Sequence, residues 1–204
     1  MSPLKKSAAG LTAALCIGLS LAPNAHAATR TAEPESRTGG SVRASDLATD
    51  RGAAAQRLQI RAWHSGKCLD VAGAGTANGT DVFQWDCLSN TQYNQQWYLE
   101  PASGGTYRIV AAHSGKCLDV AGAGTANGTN VFQWDCLSDT QRNQRWYLTD
   151  EAWQNGRYTY NIVAAHSGKC LDVAGAGTAN GTNVFQWDCL GLNQLNQRWG
   201  FYVM

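Results

Sequence analysis

The chain has 204 residues, a formal net charge of +1 and only 15% charged residues, which argues against a partner that needs a strong field, such as nucleic acid or an anionic membrane. Leu, Ile, Val and Phe together number only 35, a low count that often indicates disorder. However, 8 Trp, 7 Tyr, 22 Gly and 7 Cys indicate a folded chain that relies on aromatic residues and disulfides.

Residues 1–27 are predicted to be a signal peptide. Two lysines precede an apolar run, residues 8–22, and an Ala-x-Ala cleavage motif ends before Ala28. The alternative is a membrane anchor, but the run is shorter than the roughly 20 residues that a membrane span needs. Cys16 would leave with the signal, so six cysteines would remain in an oxidising compartment. We therefore expect a secreted, extracellular protein with no membrane span.

Residues 28–56 are predicted to be a flexible leader. They are rich in Ala, Arg, Ser, Thr and Gly and show neither helical nor strand periodicity. Such a composition cannot bury a core. A turn or two of helix is expected within residues 46–58.

Residues 57–204 contain three copies of one unit, at about residues 57–104, 105–153 and 154–204. Each copy holds the 25-residue segment HSGKCLDVAGAGTANGT-x-VFQWDCL, in which only position x varies, as Asp81, Asn130 and Asn183. An Asn-Gln-x-Trp element follows in every copy. Successive copies start 49 and 53 residues apart, because the second ends in a short insertion. A fixed period of this size indicates a repeat architecture.

Each unit is predicted to form four short strands separated by turn residues. In the first copy the predicted strands are Leu58–Trp63, Lys67–Val71, Val82–Cys87 and Gln95–Leu99. An open solenoid of three units would need capping sequences, and none is visible. The pattern therefore favours about twelve strands closed around a pseudo-threefold axis, which is an all-β, β-trefoil fold.

The three Gln-x-Trp elements, the Cys-Leu-Asp-Val strand and the Trp-x-Cys strand resemble the ricin B-chain-type lectin family, also grouped with family 13 carbohydrate-binding modules. The resemblance covers about residues 57–204. It implies a β-trefoil that binds carbohydrate without catalysis. It also implies that the tryptophans of the Gln-x-Trp elements, Trp97, Trp146 and Trp199, are core residues.

The six remaining cysteines form three couples that are each 19 residues apart. Threefold symmetry allows either pairing within each repeat or a cyclic pairing between repeats, and the local pairing closes the shortest loops. A zinc site is the alternative, but CxxC spacing is missing. The resemblance implies the local pairing: Cys68–Cys87, Cys117–Cys136 and Cys170–Cys189. Each such loop of about 20 residues stabilises the fold by roughly 3 kcal/mol.

Strand alternation places Asp70, Phe83 and Trp85 on one outward face beside the disulfide, whereas Val82 and Gln84 face inward. An indole can stack on the apolar face of a sugar ring, and a carboxylate can accept hydrogen bonds from two neighbouring hydroxyls. The alternative roles are purely structural: Asp70 would stabilise a turn, and Trp85 would pack in the core.

The family motif implies three carbohydrate-binding sites, each with an Asp, a Phe, a Trp, an Asn and a Gln. For the Gln, holding the backbone and touching the ligand are equally open roles. Phe also replaces a ligand-binding Gln that many family members carry, which leaves the sugar open. The sites are Asp70, Phe83, Trp85, Asn94 and Gln95; Asp119, Phe132, Trp134, Asn143 and Gln144; and Asp172, Phe185, Trp187, Asn196 and Gln197.

Every candidate acid, base or nucleophile recurs in triplicate, which argues against an enzyme, because a catalytic site needs different groups in different roles. The histidines of the HSGK turns, such as His64, are predicted to be solvated. Asp70 and Asp86 could mimic a glycosidase pair, but no cleft is evident. We expect no cofactor and no metal.

The expected partners are multivalent glycans of the galactose or xylan type, bound by a monomer, with no nucleic acid. The alternative hypothesis is that the chain is a trefoil protease inhibitor or another protein-interaction module. It would use the unique segment of residues 149–160, where an exposed Trp153 would favour a protein contact and a buried one a simple insertion.

Overall fold

The computed structural model describes residues 40–48 and 56–204. The predicted signal peptide, Cys16 and most of the predicted leader lie outside these residues. Within the described part of the chain, none of the helices has the length and apolar character that crossing a membrane requires.

The described residues contain twelve β-strands, one short α-helix at Ala44–Ala48 and seven 3₁₀ turns, which confirms the predicted all-β class. The strands run as follows: β1 Leu58–Ala62, β2 Cys68–Val71, β3 Thr80–Trp85, β4 Trp97–Ala102, β5 Thr106–Ala111, β6 Cys117–Val120, β7 Val131–Trp134, β8 Trp146–Gln154, β9 Arg157–Ala164, β10 Cys170–Val173, β11 Thr182–Trp187 and β12 Trp199–Val203.

Six of these strands close a barrel, and the other six form three hairpins beside it. The barrel pairs run β1–β4–β5–β8–β9–β12 and return to β1. The hairpins are β2–β3, β6–β7 and β10–β11. Their second strands also pair with one another around the threefold axis, as β3–β7, β3–β11 and an isolated bridge between Asn130 and Phe185. This closure confirms the β-trefoil.

The core consists of aliphatic side chains together with three tryptophans. Trp97, Trp146 and Trp199 are each 0% exposed, as predicted for the Gln-x-Trp elements. Each indole Nε1 donates a hydrogen bond to the carbonyl of a strand leucine: Leu69 at 3.0 Å, Leu118 at 3.1 Å and Leu171 at 2.9 Å. The large rings therefore fill a core with few aliphatic residues, and their polar atoms remain satisfied.

Disulfides join Cys68–Cys87, Cys117–Cys136 and Cys170–Cys189. The local pairing is confirmed, and the cyclic pairing and the zinc site are excluded. Each bond ties the start of one hairpin strand to the residues just after its partner strand.

Part of the predicted flexible leader packs on the barrel, which corrects that expectation for residues 40–48. Ser41 bridges to Tyr202, and the Val42 amide donates to the Phe201 carbonyl at 2.9 Å. Ala44 is buried, and its amide donates to the Tyr160 hydroxyl at 3.0 Å. The segment adds backbone pairing to β12, a contact that composition cannot predict. The predicted helix at residues 46–58 is observed only as Ala44–Ala48, and residues 49–55 lie outside the described part.

The fourth predicted strand of each repeat starts two residues later than expected. Residues Tyr93–Gln95 form a 3₁₀ turn before β4 begins at Trp97. The same turn recurs at Arg142–Gln144 and Leu195–Gln197. This turn carries the Asn and Gln of each candidate site over the neighbouring hairpin.

Candidate functional site

Each hairpin presents an aromatic pair on its outer face. In the first repeat Asp70 lies opposite Phe83 and Cys68 lies opposite Trp85 in the β2–β3 register. Trp85 is 38% exposed, whereas Val82 and Gln84 are fully buried, as strand alternation predicts. The Phe83 and Trp85 rings lie 5.6 Å apart and are tilted by 39°. The same pair occurs as Phe132–Trp134 and Phe185–Trp187.

The carboxylate of Asp70 faces this hairpin surface but is only 4% exposed, so the outward position predicted for it needs correction. The reason is the 3₁₀ turn of residues 93–95, which covers it. Asn94 Nδ2 donates to Asp70 Oδ1 at 3.1 Å, and Gln95 Nε2 donates to Asp70 Oδ2 at 2.7 Å. Burial raises the pKa of Asp70 above its ordinary value, and these two hydrogen bonds partly offset that rise.

Gln95 takes the backbone-holding role among the two that the sequence left open. Besides its bond to Asp70, its amide donates to the Asp86 carbonyl at 2.9 Å, and its oxygen accepts from the Leu88 amide at 2.8 Å. The Gln95 side chain is 0% exposed, so its contacts are with other groups of the protein. Gln144 and Gln197 make the same three contacts in their repeats.

A cavity of about 310 Å³ in the third repeat brings four of the five predicted residues together. Asp172, Phe185, Trp187 and Asn196 line it, whereas Gln197 lies behind Asp172. Asp172 is 4% exposed, and its pKa is raised by burial and held down by Gln197 and Asn196. A cavity with one aromatic wall and a carboxylate–amide pair at its base suits a small polyhydroxylated ligand.

The edge of this cavity contains strained backbone. Gly175 and Ala176 line it with φ angles of 58° and 50°. A left-handed alanine costs about 1–2 kcal/mol relative to the right-handed conformation. Ala74 and Ala123 adopt the same conformation in the other repeats, with φ of 52° and 53°. Strain that recurs in this way is typical of functional surfaces.

A turn of another repeat lies beside each site tryptophan. At Gly181, in the third repeat, an added Cβ would lie 3.7 Å from the Trp85 indole, which is an ordinary van der Waals distance. Asn180 beside it donates to the Asp86 carboxylate at 2.8 Å and accepts from the Asp86 amide at 2.9 Å. Gly79 contacts Trp134 and Gly128 contacts Trp187 in the same way. The tryptophans are therefore held in place across repeat boundaries.

The HSGK histidines also link repeats, which corrects the prediction that they are solvated. His64 is half-buried, and its Nε2 donates to the Gly177 carbonyl at 2.9 Å. His113 and His166 bond Gly75 and Gly124 in the same way. Gln84 donates to the same Gly177 carbonyl at 2.7 Å. Turn composition alone gives no signal for these contacts, because the partners of the three histidines lie 38 to 113 residues away in the sequence.

Asp86, the carboxylate considered beside Asp70, is engaged elsewhere. It forms an ion pair with Lys67, and the hydrogen bonds from Lys67 and Asn180 lower its pKa. Its equivalents Asp135 and Asp188 are paired with lysines in the same way. The Asp86 carboxylate is therefore bound by Lys67 and Asn180, whereas the Asp70 carboxylate is bound by Asn94 and Gln95.

The unique segment of residues 149–160 forms the β8–β9 hairpin. Trp153 is 55% exposed and its ring lies 4.4 Å from that of Tyr158. Arg43 from the docked segment lies over the Tyr158 ring at 4.7 Å and pairs with Glu151 at 3.5 Å. The sequence predicted that an exposed Trp153 would favour a protein contact, and the side chain is exposed.

Comparisons with known proteins agree with this geometry. The chain shares 41% identity with the designed threefold symmetric protein ThreeFoil, with a TM-score of 0.65 over 72% of this chain and 99% of that chain. An exo-β-1,3-galactanase from Clostridium thermocellum matches at 33% identity and a TM-score of 0.64 over 73% of this chain, but this chain spans only 30% of that enzyme. A Macrolepiota procera ricin B-like lectin, solved with lactose, matches at 23% identity and a TM-score of 0.58 over 74% of this chain and 96% of that one.

The sequence also matches the family described as "Ricin-type beta-trefoil lectin domain-like" over residues 47–134 and 142–203. The match spans all three hairpins, the 3₁₀ turns that carry the site Asn and Gln in all three repeats, and the barrel strands β1 and β12 that close the fold. The chain therefore belongs to the ricin-type β-trefoil lectin domain-like family.

Proposed function

We propose that the chain is a secreted, non-catalytic lectin with three carbohydrate-binding sites. The observation that carries the proposal is the threefold recurrence of an exposed tryptophan beside a buried carboxylate that Asn and Gln side chains hold. The indole offers a flat apolar surface for a sugar ring, and the carboxylate offers charge-assisted hydrogen bonds to hydroxyls.

Galactose-type glycans are the first candidates, and xylan-type glycans the second. The 33% identity with part of an exo-β-1,3-galactanase supports the first choice. Phe83 stands where many family members place a ligand-binding Gln, so the site gains apolar contact and loses a hydrogen bond there. Three such sites on one chain would raise the avidity for a polysaccharide by about 10²–10⁴-fold over a single site.

The proposal is tested with a glycan array followed by calorimetric titration of the strongest ligand, with lactose as the first probe. We expect weak binding at each site and strong binding of a polymer. A variant with Trp85→Ala, Trp134→Ala and Trp187→Ala should lose binding. Trp153→Ala is the matched control, since it removes an exposed tryptophan outside the three sites. A wild-type protein that binds no glycan on the array would refute the proposal.

A protein-interaction role is the second candidate, and the 55% exposure of Trp153 favours it. The tilted Trp153–Tyr158 pair breaks the threefold symmetry, as a single contact loop would. Inhibition of a protease from a test panel by the wild-type chain, lost in Trp153→Ala but kept in Trp85→Ala, would support it. Wild-type protein that inhibits none of the proteases would refute the inhibitor role.

A further inference from the structure

The three proposed sites differ in the loop that precedes their Asn. This loop spans residues 89–92 in the first repeat, 138–141 in the second and 191–194 in the third. In the first two repeats a pair of hydroxyls closes the loop, Ser89–Thr91 at 2.9 Å and Ser138–Thr140 at 2.8 Å. The third loop has Gly191 and Asn193 at these positions, so it lacks the hydroxyl pair.

Two further differences separate the third loop from the others. Gln96 donates to the Asn90 carbonyl at 2.7 Å, and Arg145 donates to the Asp139 carbonyl at 2.6 Å. Their equivalent, Arg198, instead turns to Asn161, Asp150 and Thr159. Gly191 has a φ of 88°, a left-handed conformation that a serine in its place would resist. The third loop therefore keeps the backbone turn of the other two, closed by the Gln194 amide on the Gly191 carbonyl, but differs in its first residue and in its side-chain contacts.

The polar groups of the third site differ as well. Gln194 Nε2 donates to Asn196 Oδ1 at 2.7 Å. In the described residues, no protein group donates to the equivalent oxygen of Asn94 or Asn143. Those oxygens keep both lone pairs for a ligand hydroxyl, whereas one of the two lone pairs of Asn196 Oδ1 is already used by Gln194. The third site thus offers one acceptor position fewer beside its carboxylate.

The rim of the third site is also more apolar. Leu192 is 50% exposed and Leu195 40%, and Leu190 is 56% exposed where the equivalent Leu88 and Leu137 are 42% and 41% exposed. The residues equivalent to Leu192 are Asn90 and Asp139. Those equivalent to Leu195 are Tyr93, whose ring is covered by Arg57 at 5.0 Å, and Arg142, which donates to the Ala165 carbonyl at 2.8 Å. Leu190 and Gln194, which flank Leu192 in the loop, line the 310 Å³ cavity together with Trp187, whereas Leu192 and Leu195 lie outside its lining.

We propose that the third site is specialised for a saccharide that carries an apolar substituent next to the bound ring, whereas the first two sites prefer the unsubstituted sugar. This inference rests on the proposed function. The leucines would cover an alkyl aglycone or a similar group, which water solvates poorly. The loss of one acceptor at Asn196 makes the third site less dependent on hydroxyls, so the two changes act in the same direction.

The test compares methyl and n-butyl β-galactosides, and the matching xylosides, on the secreted form of the protein. The indole N–H signals of Trp85, Trp134 and Trp187 report the three sites separately by NMR, after assignment with single Trp→Phe variants. We expect the butyl-to-methyl affinity ratio at Trp187 to exceed that at Trp134 by at least about fivefold, since a methylene in an apolar pocket is worth about tenfold or more and this rim is open.

Leu192→Asn is the matched variant, because it places at this exposed position of the third loop the asparagine that the first loop has at Asn90. It should bring the ratio at Trp187 close to that at Trp85 without moving the Trp85 and Trp134 titrations. Equal ratios at all three indoles, or a ratio at Trp187 that Leu192→Asn leaves unchanged, would overturn the specialisation and leave the proposed function intact. No shift at any indole with any of the four glycosides, and no binding on the glycan array, would overturn both.

Discussion

Replacing Gln95 with leucine removes three hydrogen bonds from a fully buried side chain of similar size. Asp70 Oδ2 loses its donor at 2.7 Å, the Asp86 carbonyl its donor at 2.9 Å, and the Leu88 amide its acceptor at 2.8 Å. A buried bond to a charged group is worth about 1.5–3 kcal/mol, and the two backbone groups lie near solvent, where water replaces part of the loss. We expect a loss of about 3 kcal/mol in unfolding free energy, which lowers Tm by about 6–12 °C for a domain of this size.

The assay is thermal and urea unfolding of the disulfide-intact protein, combined with the Trp85 indole titration. The pKa of Asp70 should rise further without Gln95, so the first site should also lose affinity for its sugar while the third keeps it. Gln92→Leu is the matched control: the same substitution on an exposed side chain should change stability by less than about 0.5 kcal/mol. The reasoning would be refuted if Gln95→Leu unfolded at the wild-type urea midpoint, or if it left sugar binding at the first site unchanged.

Three further predictions concern the disulfides, the contacts between repeats and pH. Replacing both Cys68 and Cys87 by Ala opens a loop of about 20 residues and should cost about 3 kcal/mol in urea unfolding; a loss below about 1 kcal/mol would contradict the loop-entropy argument. Asn180→Ala, in the third repeat, removes two bonds to Asp86 and should weaken sugar binding at Trp85 severalfold while Trp187 titrates normally; an effect confined to Trp187 would contradict the cross-repeat support. As the pH is lowered, sugar affinity measured by calorimetry should begin to fall at pH values still above the ordinary Asp pKa. The reason is that burial raises the pKa of the three site carboxylates, whose charged form binds hydroxyls. The stability from the lysine-paired carboxylates should be lost only below the ordinary Asp pKa, since their pKa values are lowered; affinity and stability that titrate together would contradict this assignment.

Strand alternation proved a reliable guide to the hairpin surface. The sequence predicted Phe83 and Trp85 on one face and Val82 and Gln84 on the other, and the burial of these four side chains agrees. The reason is that a period of two is a local property of extended backbone and needs no knowledge of the partner strand. The disulfide Cys68–Cys87 then fixed which two strands of the repeat lie side by side.

Contacts made by distant segments escaped prediction. Asp70 is buried because a 3₁₀ turn covers it, and no pattern in residues 93–95 predicts that this turn lies over the carboxylate. His64 sits in a typical surface turn, yet it bonds a carbonyl in the third repeat. The segment of residues 40–48 lacks any periodicity, yet Ala44 enters the core. In the last two cases the partner lies at the other end of the chain and is brought close only when the three repeats close around their axis.

The sequence by itself determined the threefold repeat, the β-trefoil, the core tryptophans and the identity of the aromatic and acidic residues on each hairpin, because these follow from period, alternation and family motif. Only the tertiary structure decided that each tryptophan is supported by the turn of another repeat, that Gln95 and its equivalents hold the carboxylate, and that the third site differs from the first two. The physical reason is that repeats of nearly identical sequence encode identical local structure. Their differences therefore lie in short loops and cross-repeat contacts, whose geometry exists only once the three units have closed around their axis.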